Sequence, residues 1–130
     1  MFNKTILIVG TYDTKNDELA FMAECIHELG GKALTMDVSV LGEPIVAVDY
    51  SKHQVAQMAD SSIQAAIDSG DENNAMQIMA LGASRLALQA YLAGDFHGIV
   101  ILGGTMGTDL ALDVCQALPL GVPKLSLIHI

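Results

Sequence analysis

Basic residues are scarce in this chain. Lys and Arg together number 6 against 15 Asp and Glu, for a formal net charge of −9. A surface that acidic repels phosphate backbones and anionic lipid headgroups, which argues against nucleic acid and membrane as partners. Cysteine is also sparse. Cys25 and Cys115 share no CxxC spacing and read as two reduced core thiols of a cytosolic protein. Long apolar runs are missing. Lys4 is followed only by Thr5 to Val9, too short for a secretory signal or a bilayer span, and the expectation is a cytoplasmic protein. The histidines at 27, 53, 97 and 129 show no metal-ligand spacing within a helix, and no Cys joins them. No nucleophile–base–acid set has usable spacing, so nothing indicates bond-breaking by this domain on its own. Trp is absent, as are internal repeats and low-complexity tracts.

What is present is apolar. Hydrophobic residues make up 52% and charged residues 16% of 130 residues, which suits one domain whose strands are covered on both faces. Ile6-Leu7-Ile8-Val9, ending at Gly10, reads as a buried parallel strand. A polar turn, Thr11 to Asn16, offers helix caps at Thr14, Asn16 and Asp17. Leu19, Met22, Ala23, Ile26 and Leu29 then recur at helical spacing until Gly30-Gly31. Ala33 to Met36 is a second strand, closing at Asp37. From Val38 to Tyr50 no period is evident, and Gly42, Glu43 and Pro44 mark a loop. Ser51 caps a helix expected to run to Ile67, with Val55, Met58, Ala59, Ile63 and Ala66 on one face. A longer helix follows from Glu72 to Ala93, its Met and Ala stripe belonging to the core. Ile99 to Leu102 is the third strand. A helical pattern runs from Leu110 to Leu118, and Lys124 opens a fourth strand.

This order predicts an α/β fold: an open parallel sheet, Rossmann-like or flavodoxin-like, in three α/β/α layers with strand order 2-1-3-4. Ligands of such sheets bind beyond the carboxyl ends of the strands, where the strand order reverses. The two turns bordering that reversal are Gly10 to Asn16 and Gly103-Gly104-Thr105-Met106-Gly107-Thr108. The second is a strand–glycine turn–helix unit. Its glycines admit a ligand to the bare main chain, and the helix behind it aims N–H groups and a positive dipole end at the turn. Phosphates and carboxylates suit such a place. The candidate nucleotide-binding residues are Gly10, Thr11, Asp13, Thr14, Lys15, Asp37, Gly103, Gly104, Thr105, Gly107 and Thr108. Lys15 suits a phosphate, Asp13 a magnesium ion or a ribose hydroxyl, and Asp37 the ribose hydroxyls. For each charged residue a plain structural role as cap or loop residue stays open. The GxGxxG fingerprint is missing from the first turn, which disfavours a standard dinucleotide site.

Taken together, several motifs resemble a family. They are Gly10-Thr11-Tyr12-Asp13-Thr14-Lys15 with Glu18, Met36-Asp37-Val38, Gly70-Asp71 before a Met-rich helix, the Gly103 to Thr108 turn, and Leu118 to Lys124. In that order they look like the amino-terminal domain of the family named for the ATP-binding region of a tomato mosaic virus resistance protein. The resemblance implies nucleotide, above all ATP, bound by the first half of a two-domain protein that self-associates into a homo-oligomer. Two departures stand out. Asn16 replaces a usual glycine, implying a less open first turn, and Glu72-Asn73-Asn74 replaces a usual basic-and-glycine pair. The resemblance runs from Lys4 to Lys124. Residues 125–130, Leu-Ser-Leu-Ile-His-Ile, match what a common transposon-type sequencing adapter encodes in one frame. The expectation is a nucleotide-binding domain over 1–124, an artificial tail over 125–130 and an absent second domain. Two other readings stay open: a protein-interaction or regulatory module with a structural nucleotide, and an enzyme domain acting on a small phosphorylated or carboxylate substrate.

Overall fold

A computed structural model of the chain describes residues 4–10, 16–39, 48–103, 113–119, 121 and 123–128. The elements in chain order are β1 (Thr5–Gly10), α1 (Asn16–Glu28), β2 (Lys32–Asp37), α2 (Lys52–Met58), α3 (Ile63–Asp68), α4 (Glu72–Leu92), β3 (Gly98–Gly103), α5 (113–117) and β4 (Lys124–Ile128). The four strands form one sheet in the order β2-β1-β3-β4, every pair parallel. This is the order read from the sequence, and no strand separates β1 from β3.

The apolar strands are explained by burial on two faces. Leu7, Val9, Met36, Ile99 and Ile101 point to one face, where they pack with Val55 and Ala56 of α2, Ile63 of α3, Met79 to Ala90 of α4, and Val114 and Leu118 at α5. Ile8 and Leu102 point to the other, where α1 supplies Leu19, Met22, Ala23 and Ile26. The first core is much the larger. Phe96 enters it just before β3, its ring 5.6 Å from that of Tyr91.

α1 carries Asp17 and Glu18 in its first turn, where carboxylates suit the helix dipole. It ends at Gly30, whose φ of 89° is the left-handed conformation that glycine adopts freely. The single helix expected from Ser51 to Ile67 is two helices. The apolar spacing carries on in phase through Ala59 and Ile63, but the backbone does not. Asp60 sits at φ 57°, and Ser62 restarts the helix by accepting a hydrogen bond from the Ala65 N–H at 3.1 Å. Asp60, Ser61 and Ser62 are residues whose side chains compete for backbone groups. Ser51 does cap α2, in a capping box with Gln54. α2 then crosses α4 in direct backbone contact. A Cβ at Gly82 would overlap the Val55 carbonyl, so only glycine lets the helices approach this far.

Candidate functional site

The sheet order sets the frame. β1 leads through α1 to β2 on one side, and the chain then returns past β1 to β3 on the other. The connections diverge at the carboxyl ends of β1 and β3, the place where open sheets of this kind have their ligand crevice. Gly10 ends β1 between two partners, paired with Asp37 on one side and Leu102 on the other, and Gly103 ends β3 one residue further. Of the candidate residues, the structure therefore brings Gly10, Asp37 and Gly103 together along one edge. Thr11, Asp13, Thr14, Lys15, Gly104, Thr105, Gly107 and Thr108 lie outside the described residues. So does the basis of the magnesium expectation, which rests on Asp13.

Gly10 is held to glycine by packing. A Cβ there would lie 2.7 and 2.8 Å from the Leu19 methyls and 3.1 Å from the Leu102 carbonyl oxygen. Leu19 thus presses the start of α1 directly onto the end of β1. The Gly10 carbonyl accepts from the Val38 N–H at 3.0 Å, prolonging the β1–β2 ladder past Asp37.

Asp37 is fully buried, and its position is fixed from both ends. Its N–H donates to the Tyr50 carbonyl at 3.0 Å. Its Oδ1 accepts from the Ser39 N–H at 3.0 Å and from the Ser39 hydroxyl at 2.7 Å. A ribose hydroxyl bound at Oδ1 has to share that oxygen with Ser39. Ser39 itself was not legible as a site residue, although the Asp-x-Ser spacing is that of an Asx turn.

Beside Asp37 the outer edge of β2 is covered, in a region that read as featureless. Tyr50 forms a parallel bridge to Met36. Asp49 Oδ2 accepts from the Thr35 N–H at 2.8 Å and from its hydroxyl at 3.1 Å, and the Asp49 N–H donates to Thr35 Oγ1 at 2.9 Å. Burial pushes the Tyr50 phenol above its ordinary pKa; the carboxylates of Asp95 and Asp49, and a hydrogen bond to Asp95, push the same way. Lys52, the first residue of α2, is 3% exposed, so one of the chain's few cations is buried close to this edge. Nothing in the helical pattern distinguishes it from a solvated lysine.

The opposite end of the sheet carries a different polar pair. The His97 N–H donates to the Thr5 carbonyl at 2.8 Å, and Nδ1 of its ring accepts from the Thr5 N–H at 3.1 Å. His97 is therefore a clamp at the amino ends of β1 and β3, remote from the crevice. Neither Cys25 nor Cys115 is in a disulfide. Among the described residues no cluster of His, Cys, Asp and Glu could hold a metal, and no helix is long and apolar enough to cross a membrane.

These features define an α/β domain with a doubly wound parallel sheet, its strand order reversing beside glycines and one buried carboxylate. The chain belongs to the family described as "Uncharacterised protein family (UPF0261) N-terminal domain", which it matches over residues 4–128. It is 53% identical over 119 residues to a UPF0261 protein of Brucella suis biovar 1 (strain 1330), covering 92% of this chain and 28% of that protein. A UPF0261 protein of Clostridium tetani (strain Massachusetts / E88) is 35% identical over 122 residues, covering 94% and 30%. The ToMV resistance protein Tm-1(GCR237) of Solanum lycopersicum is more distant, at 26% identity over 134 residues, covering 92% and 18%. The chain thus spans less than a third of the length of these relatives.

Proposed function

We propose that the domain binds a nucleotide, ATP foremost, at the crevice bounded by Gly10, Asp37 and Gly103. The observation that carries this reading is the adjacency of β1 and β3 with the strand order reversing between them. It brings the carboxyl ends of three strands to one place, and in the sequence the two polar turns directly follow two of those ends. The motif resemblance to a family named for an ATP-binding region favours ATP within that class. In the whole protein this domain would be the nucleotide-binding half of a longer, two-domain, cytoplasmic, self-associating chain.

The roles follow from chemistry. Main-chain N–H groups after Gly103, with the hydroxyls of Thr105 and Thr108, take the phosphates. Lys15 adds a cation in an otherwise acidic molecule, Asp13 holds magnesium, and Asp37 takes the ribose. Calorimetry with ATP, ADP and the same nucleotides plus magnesium tests the reading. Gly104→Val is expected to abolish binding by placing a side chain on the ligand's approach. Lys15→Ala is expected to weaken it by about 1.5–3 kcal/mol, as for a hydrogen bond to a charged group, with little change in melting temperature. Unchanged affinity in Gly104→Val would move the site elsewhere. Binding of small carboxylates without ATP would favour the small-substrate reading instead.

A further inference from the structure

We propose that the outer face of α4 is the surface on which two copies of this chain pair. This gives a place to the self-association proposed above, and it does not depend on nucleotide binding. α4 is the longest of the described helices, and it is apolar on two sides. Its inner side, with Met79, Ala80, Ala83, Ala87 and Ala90, is buried in the main core. At about 100° per residue, Ile78, Leu81, Arg85, Leu88 and Leu92 fall on the side turned away from that core. Leu81 is 45% and Leu92 73% exposed. Ile78 and Leu88 are half-buried, Leu88 lying partly against the core. A helix that buries one face normally turns polar residues to solvent. Here the outward row is large and aliphatic except at Arg85.

The spacing of that row indicates what fits it. From Ile78 to Leu92 the steps are three, four, three and four residues. That alternation, with a mean period of about 3.5, is the pattern by which two helices pack side by side at a shallow angle. At 1.5 Å per residue the row is about 21 Å long. The surface that matches it is a helix with the same outward seam. Among the described helices only α4 has one. α2 and α3 are 7 and 6 residues long, too short to carry it. In α1 the exposed apolar residues Phe21 and Leu29 do not continue in three-four steps. The fitting partner is therefore α4 of a second copy.

Charge selects the same occupant. With a net charge of −9, two copies repel wherever their acidic faces meet. Between Glu72 and Asp95 the sequence has no Asp or Glu, and Arg85 is its one charged residue. The Arg85 guanidinium donates to the Met58 carbonyl at 2.8 Å and lies 3.4 Å from Asp60 Oδ2, so a carboxylate of the same chain offsets its charge. One charged residue within an apolar seam weakens pairing but fixes its register. The exposed pair Phe21 and Leu29 is the contrast. Asp17, Glu18, Glu24 and Glu28 surround it on α1, and two copies brought together there would meet like charges. The outer face of α4 is where one acidic chain can approach another without that penalty.

Sedimentation equilibrium of the 130-residue chain, with no nucleotide added, tests the surface. One pair of helices makes a small interface, so a dimer with a dissociation constant in the micromolar range is expected. Leu81→Lys and Leu92→Lys should each weaken it by about tenfold or more, since each buries a new charge in the seam. Circular dichroism at concentrations below dimerisation should show parental melting for both, because both side chains are exposed in the single chain. Phe21→Lys makes the same change of charge on α1 and should leave the dimer as it is. A chain that stays monomeric at millimolar concentration would overturn both the surface and the self-association. A dimer that Leu81→Lys and Leu92→Lys leave intact would overturn the surface and keep the self-association. A dimer broken by Phe21→Lys alone would overturn it too, moving the contact to α1. With nucleotide absent throughout, none of these outcomes bears on the crevice.

Discussion

At the scale of single residues, Asp37 has one task in the fold and one that we propose, and substitution can separate them. Its Oδ1 satisfies the N–H and hydroxyl of Ser39, itself 2% exposed. Asp37→Ala leaves those donors without that acceptor and should cost about 1–3 kcal/mol in urea unfolding, the penalty for an unsatisfied buried group. Asp37→Asn keeps an acceptor oxygen and should stay near parental stability while weakening nucleotide binding. If the Asn variant binds nucleotide as the parent does, Asp37 serves the fold alone. Tyr50 gives a pH prediction. Its phenol titrates above the ordinary value of about 10, so its neutral form is favoured by folding. The resulting stability is fully present below the unfolded pKa and is lost as pH rises through the higher folded one. Tyr50→Phe should therefore show a shallower loss of stability above about pH 10 in alkaline unfolding. Neither residue's setting was legible in sequence. Asp37 was recognisable as the end of a strand, but its bond to Ser39 is one local option among several for a strand-ending aspartate, and the Asp95 neighbour of Tyr50 depends on how distant segments pack.

At the scale of elements, β1, β2 and β3 were legible because each is a short, largely apolar run with a glycine or aspartate at its end, the form a strand takes when both faces are covered. The break between α2 and α3 was not. Val55, Met58, Ala59, Ile63 and Ala66 keep one helical phase across it, and periodicity reports a buried face rather than an unbroken backbone. The pairing of Asp49 and Tyr50 with β2 was hidden for the opposite reason, since two residues are too few to show a period. Gly82 looked like an ordinary helix position, yet it fixes the crossing of α2 on α4. Gly82→Ala should gain about 1 kcal/mol of helix propensity and lose more to overpacking, which costs about 1–3 kcal/mol, near the upper end because the obstacle is a backbone carbonyl. A net loss in denaturant unfolding is expected. Gly94→Ala is the contrast. Nothing lies within 4 Å of a Cβ there, but φ is +82°, so its cost of about 1–2 kcal/mol should be purely conformational. Equal parental stability of Gly82→Ala would mean that the helices can separate freely.

At the scale of the molecule, the sheet order followed from chain connectivity, because a right-handed crossover leaves few places for each new strand. The candidate site was legible to the extent that it belongs to the sheet: Gly10, Asp37 and Gly103 share an edge because their strands do. The inequality of the two faces was not legible, since alternating apolar residues on a strand do not tell how many helices lie above each side. The adjacency of β1 and β3 also bears on the order in which the molecule assembles. Residues 5–37 can pair as β1 and β2 through one short crossover. β1 and β3 are far apart in the chain, and Thr5 and His97, which tie their starting ends, are 92 residues apart. Closing so long a loop is entropically costly and comes late. The crevice lies on that late seam, so during refolding it is absent from any species in which only the amino-terminal unit has formed. A ligand held there binds the completed sheet alone, and its binding would stabilise the last pairing to form against the first to open.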